Sequence, residues 1–127
     1  MSATIEEIRH SAAHLMASAV CSLFDNVKID IGPATDDGFY YDFDLEHRLS
    51  AEDFPAIEKA IRKLIGAKLP FVREEVTREQ AAEIFKDQPY KLDRLADIPE
   101  GETVSIYRTG DYVDLCRGPH VEHSGCI

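Results

Sequence analysis

The sequence predicts an α+β fold in which helices pack on an antiparallel sheet, with all 127 residues in one domain. Helical and strand-like stretches follow one another as helix, strands, helix, strand, helix, strands, which is not the regular alternation of a doubly wound sheet. Two strand-like runs near the C-terminus, TVSIYR and DYVDLC, flank Thr109-Gly110 and so form an antiparallel hairpin. The length suits a single core, since a core becomes self-sufficient at roughly 60 residues and splits beyond roughly 250.

From Ile5 to Phe24, apolar residues recur at Ile5, Ile8, Ala12, Leu15, Met16, Ala19 and Leu23, the spacing of an amphipathic helix. Thr4 and Glu7 form a T-x-x-E capping box that satisfies two free amide donors at its start. Val27, Ile29 and Ile31 then alternate with Lys28 and Asp30. After Gly32-Pro33 and Asp37-Gly38 the run GFYYDFD alternates again, which predicts two strands joined by a turn. Ser50 with Asp53 caps a second helix whose apolar face is Phe54, Ile57, Ala60, Ile61, Leu64 and Ile65, ending near Gly66, with Pro55 tolerated in its first turn. FVREEV reads as a strand, Thr77 with Gln80 opens a short third helix through Phe85, and Pro89 is expected to stop further helix nearby. The tail EHSGCI has neither a helix cap nor a polar end, so the chain is expected to be a piece of a longer protein.

An apolar fraction of 44% and a charged fraction of 30% are those of an ordinary globular protein. No segment reaches the roughly 18 consecutive apolar residues of a membrane helix. The start MSATIEEIRH carries acids where a signal peptide has a basic, then apolar, run, which points to a cytoplasmic setting with no membrane partner. Cys21, Cys116 and Cys126 form an odd set at no disulfide spacing, leaving metal binding or packing as their roles. The net charge of -10 argues against a stand-alone nucleic-acid binder, because phosphate affinity rests on Lys and Arg.

Two constellations carry chemistry. His10 and His14 are four apart, so on a helix both imidazoles lie on one side at a separation suited to one metal or one substrate. At 100° per residue the stripe Ile8, Ala12, Leu15, Ala19 and Leu23 lies opposite them, so they are expected to point away from the main core, beside the small residues Ala17 and Cys21. Ser11 follows His10 where a zinc peptidase has its glutamate base, which disfavours that chemistry. The second constellation is D-L-C-R-G-P-H, where a strand supplies Asp114 and Cys116, and Gly118-Pro119 turns the chain to re-aim His120. Together His10, His14, Cys116 and His120 suit a tetrahedral zinc or an open site holding water, while the bland alternative is a buried cysteine and loop or surface histidines. His47 and His123 sit on charged or loop segments and are left without a role.

HSAAHLMASAV, IGPATDDGFYYDFD, QPYKLD and YRTGDYVDLCRGPHVEHSG, in that order, resemble successive landmarks of the threonyl-tRNA synthetase editing domain. H-x-x-x-H alone is shared with alanyl-tRNA synthetase editing domains; GFYYDFD combined with DLCRGPH is much more specific. The resemblance runs from near Ile5 to near Gly125. It implies a fragment lacking the synthetase's small N-terminal β-rich domain, the last part of the editing domain and the class II catalytic core, which alone would use ATP. It implies that His10, His14, Cys116 and His120 form a metal-like cluster, zinc being admitted but not required, while Tyr41, Lys91 and Asp114 line the substrate pocket. One of Tyr40 and Tyr41 is expected to face that pocket.

The activity implied is hydrolysis of serine wrongly esterified to threonine tRNA, with the tRNA 3' end and the remaining synthetase domains as partners. The acidic charge is compatible with tRNA met only at one end. His10, with His14, would position or deprotonate the water; Lys91 would stabilise the oxyanion or hold the terminal nucleotide; Asp114 would accept the serine ammonium or hydroxyl; and Cys116 with His120 would shape the pocket or complete a metal set. Two alternatives are carried: a free-standing seryl/alanyl-tRNA deacylase of the same superfamily, marked by stoichiometric zinc, and a non-catalytic metal-binding interaction module, marked by chelator-induced unfolding without hydrolysis.

Overall fold

The computed structural model describes residues 4–24, 26–30, 36, 38–39, 41–45, 49–116 and 120–127. Helix α1 (Ile5–Leu23) begins at the predicted capping box, with the Thr4 hydroxyl accepting from the Glu7 amide at 3.1 Å. Strands β1 (Lys28–Ile29) and β2 (Phe43–Asp44) pair antiparallel. A 3-10 turn over Ala51–Asp53 leads into α2 (Phe54–Gly66), with Pro55 in its first turn as the sequence predicts. Strand β3 (Val72–Val76) is followed by α3 (Arg78–Ile84) and α4 (Pro89–Asp97), then by the hairpin β4 (Val104–Thr109) and β5 (Tyr112–Leu115). The second sheet has the order β3-β4-β5, antiparallel throughout, so the α+β expectation matches the observed fold.

Pro89 does not end helix formation; it starts α4. In the first turn a proline's missing N–H is no loss and its fixed φ suits a helix, so it is a start signal there. The hairpin turns one residue later than Thr109-Gly110, at Gly110-Asp111. Gly110 takes φ 61°, a left-handed conformation that costs other residues energy.

Two apolar clusters hold the chain together. Ala17, Ala19 and Val20 of α1 pack with Val27, Ile29, Ile57 and Tyr112, and Ala81, Phe85 and Leu95 of α3 and α4 pack on Val104 and Ile106 of β4. Gln88, just before α4, joins the two halves: its amide accepts from the Ile29 N–H at 2.8 Å and donates to the Val27 carbonyl at 3.0 Å, behaving like a strand partner for β1. Arg94 of α4 grips Asp30 with two bonds of 2.8 and 3.0 Å. These ties fix the rotation of α4 and thereby aim Lys91 inward.

The C-terminal stretch is laced to the segment before β3. Phe71 N–H donates to the Glu122 carbonyl at 3.1 Å, and Ser124 N–H to that of Leu69 at 2.8 Å. The Ser124 hydroxyl accepts from Leu69 N–H and donates to the Leu64 carbonyl. This lacing brings His120 back against α1. None of the three cysteines is joined in a disulfide among the described residues, and no helix among them is long and apolar enough to cross a membrane.

Candidate active site

Three side chains from two distant segments converge near the start of α1. Cys116 Sγ lies 3.4 Å from His10 Nε2 and 3.3 Å from His120 Nε2, and the two imidazoles stack with centroids 4.3 Å apart. One ligating atom from each of the three lies within 4.8 Å of the others. Ligands bonded at 2.0–2.3 Å around a tetrahedral zinc stand about 3.5 Å apart, which the two distances from Cys116 Sγ match. The donor set, two imidazoles and a thiol, is also one that zinc accepts.

His14 stands outside that trio. It is 2% exposed, edge-on to Tyr112 at 4.7 Å and to His120 at 5.0 Å, with Phe71 at 5.1 Å. Neither of its nitrogens has a hydrogen-bond partner among the described residues, and Asp114 Oδ2 is 4.0 Å from Nδ1. Burial lowers the His14 pKa from 6.5 to about 4, against the pull of Asp114, so the ring is neutral at neutral pH. Burial, helped by His14 and His10, takes His120 down to about 2. The expectation that both histidines point away from the core fails for His14. Helix α1 is buried around most of its circumference, with Ser11, His14 and Ala17 as buried as Leu15 and Ala19, and His14 is closed in by Tyr112 of β5, Phe71 and His120.

Beside the histidines is a buried charged cluster. Lys91 Nζ lies 2.5 Å from Asp114 Oδ1, the two residues being 3% and 6% exposed. The Tyr41 and Tyr112 hydroxyls donate to Asp114 Oδ2 at 2.9 and 3.4 Å. Burial and the Asp114 charge push both phenols well above their ordinary range, so they remain protonated donors. Lys91 and Leu95 are the buried residues of α4, four apart on its inward face. Lys91 Nζ is also 5.6 Å from the centre of the Tyr41 ring.

Comparison with known proteins bears on this arrangement. Residues 104–127 match the family model described as "Threonyl and Alanyl tRNA synthetase second additional domain". Threonine–tRNA ligase of Dehalococcoides mccartyi is 56% identical over 123 residues, covering 97% of this chain and 21% of the relative. That of Thermotoga neapolitana is 51% identical over 125 residues, 96% of this chain and 19% of the relative. That of Geobacillus kaustophilus is 47% identical over 129 residues, 100% of this chain and 20% of the relative. The chain belongs to the threonyl-tRNA synthetase editing-domain family. It spans about a fifth of the length of the curated relatives it matches.

In this editing domain, the residues picked from sequence fall into two adjoining groups. His10, Cys116 and His120 form one, Tyr41, Lys91 and Asp114 the other, and His14 lies between them. Of the two tyrosines, Tyr41 faces the cluster; Tyr40 and His47, like Gly118 and Pro119, lie outside the described residues. His123 belongs to neither group: its Nδ1 accepts from Gly125 N–H at 3.0 Å, and Nε2 is 3.6 Å from Cys126 Sγ.

Four neighbours had not been singled out: Ser11, Phe71, Tyr107 and Tyr112. Tyr112 was legible, since it stands two residues before Asp114 and therefore on the same face of a strand. Ser11 is a polar residue inside a helical run with no terminus nearby, a position where a hydroxyl calls for a tertiary partner. Phe71 and Tyr107 gave no local signal.

Proposed function

We propose that this chain is the editing module of a longer threonine–tRNA ligase and hydrolyses the ester between serine and threonine tRNA. The observation that carries this reading is the juxtaposition of the His10/Cys116/His120 trio with the buried Lys91–Asp114 pair, on a chain related throughout to threonine–tRNA ligases. Water attack on an ester needs a group that orients or deprotonates the water and a positive group near the developing oxyanion. His10, only half-buried, is the imidazole placed for the first role, while His14 is shut in and neutral. Lys91 is the cation for the second, held in one geometry by Asp114. The carboxylate of Asp114 already takes Lys91 and two phenols, so it receives a serine ammonium only in exchange for one of them.

A zinc ion, where bound, would be held by His10, Cys116 and His120 and would supply Lewis-acid chemistry for activating water. The roles above belong to the chain's own groups.

Serine lacks one methyl of threonine, and a pocket separates two such substrates by only about 10 to 200 fold, which is why a second, hydrolytic sieve is useful. Exclusion of threonine would rest on a tight pocket in which its methyl displaces the water. The test is hydrolysis of seryl- and threonyl-tRNA, both on threonine tRNA, by the chain and by its His10→Ala/His14→Ala variant. Selective loss of the seryl ester, abolished in the variant, is expected. Hydrolysis that persists in the variant would overturn the roles given to His10 and His14, and hydrolysis without preference for the seryl ester would overturn the editing assignment.

A further inference from the structure

Ser11 is wholly buried, in the middle of α1, one residue after His10. Its hydroxyl lies 2.9 Å from His120 Nδ1 and accepts the Val121 N–H at 2.9 Å. A serine hydroxyl has one hydrogen to give. Among the described residues it makes no other hydrogen bond, so with Val121 N–H as donor into the oxygen, the hydrogen goes to His120 Nδ1. A neutral imidazole carries its own hydrogen on one nitrogen only, and with Nδ1 accepting, that nitrogen is Nε2. Nε2 is the atom 3.3 Å from Cys116 Sγ.

Packing alone does not settle this ring. His120 is stacked on His10 at 4.3 Å and walled by Tyr107 at 4.5 Å and Phe71 at 5.0 Å, contacts that hold its plane. Turning the ring over by a half rotation about Cβ–Cγ leaves the plane almost unchanged while exchanging nitrogens for carbons. Only directional bonds distinguish the two settings: the Ser11 hydroxyl at 2.9 Å from Nδ1, the shorter of the two, and Cys116 Sγ at 3.3 Å from Nε2.

We propose that Ser11 is a positioning residue: its hydroxyl selects the ring setting of His120 and places that ring's hydrogen on Nε2, facing Cys116. The trio then presents an N–H donor toward the thiol, and a metal on His120 Nε2 requires the hydrogen to move first to Nδ1, with Ser11 turning from donor to acceptor. The question is where the ring's single hydrogen sits, not whether the ring takes a second. A consequence for hydrolysis rests on the proposed editing function; the placement of the hydrogen does not.

The test is nitrogen NMR of the chain labelled with 15N-histidine, without substrate or metal, which reads each imidazole nitrogen as bare or hydrogen-bearing. Expected for His120 are a bare Nδ1 and a hydrogen-bearing Nε2, collapsing to a mixture in Ser11→Ala and restored in Ser11→Thr, which keeps the hydroxyl. Ser11→Cys, similar in bulk but a weak donor, gives the same reading as alanine if the alanine chain does not fold. If hydrolysis is observed, Ser11→Ala lowers kcat on the order of 10-fold with KM held, as loss of an orienting partner does. A hydrogen on Nδ1 in the unaltered chain overturns the proposal. So does an Nε2 hydrogen that is unchanged in Ser11→Ala and Ser11→Cys, since another group then sets it. Neither result touches the editing assignment, which stands or falls on the deacylation assay.

Discussion

Replacing Lys91 by methionine removes the cation from a pair whose side chains are 4% and 8% exposed and whose charged atoms are 2.5 Å apart. The aliphatic stem of the lysine is nearly reproduced, so the loss is electrostatic. Breaking a buried pair from one side costs about 3–5 kcal/mol, chiefly because the remaining charge is left in a poorly polarisable place. Here Tyr41 and Tyr112 still donate to Asp114 Oδ2, which puts the expected loss at the lower end, about 3 kcal/mol. With a urea slope of about 1.5 kcal/mol/M, the unfolding midpoint at pH 7 falls by about 2 M. Asp114→Asn and the double variant complete a cycle, with a coupling of about 2 kcal/mol expected between residues in direct contact. Raising the salt concentration should not shrink that coupling, since a buried pair is screened little. A midpoint shift below about 0.5 M with strictly additive effects would mean that the pair does not hold α4 against β5.

Acid should destabilise the domain through His14. Its folded pKa of about 4 lies below the unfolded 6.5, so the unfolded chain binds a proton first, and the stability present above pH 6.5 is lost as pH falls toward 4, by about 3 kcal/mol. Urea midpoints at pH 7 and 4.5 should therefore differ less in His14→Asn than in the unaltered chain; equal differences would contradict this. Gly110→Ala puts a side chain at φ 61° with its Cβ 3.2 Å from Leu69 Cδ1, and a cost of about 1 kcal/mol lowers Tm by roughly 4 °C, whereas an unchanged Tm would show that the turn relaxes freely. Tyr41→Phe removes the 2.9 Å bond to Asp114 and should slow seryl ester hydrolysis about 10-fold while the fold is kept; full activity would leave Tyr41 a packing role.

Local rules were enough for most elements. The Thr4 and Thr77 capping boxes, both present with their Glu7 and Gln80 partners, mark helix starts because the groups involved are three residues apart and need nothing from the rest of the chain. The β4-β5 hairpin was legible for the same reason. Pro89 was misread because one residue type both stops a helix and starts one, and the choice depends on whether the residues after it can continue as a helix. The burial of His14 was misread because a helix wheel locates one apolar stripe, whereas α1 is covered on a second side by chain about a hundred residues away.

The sequence by itself determined the α+β class, the starts of α1 and α3 and the presence of the β4-β5 hairpin, and it marked His10, Lys91, Asp114, Cys116 and His120 as candidates, since each depends on spacing along a few residues or on motifs that stand intact in the chain. Which of those side chains meet was decided only by the tertiary structure. His10 faces Cys116 and His120 through the return of the chain at Val121, Lys91 is buried because Gln88 and Arg94 dock α4 on β1, and Ser11 reaches His120 across the same return. The physical reason is that a hydrogen bond or an ion pair is set by distances of about 3 Å in space, and between residues far apart in sequence those distances come from packing, which no local pattern records.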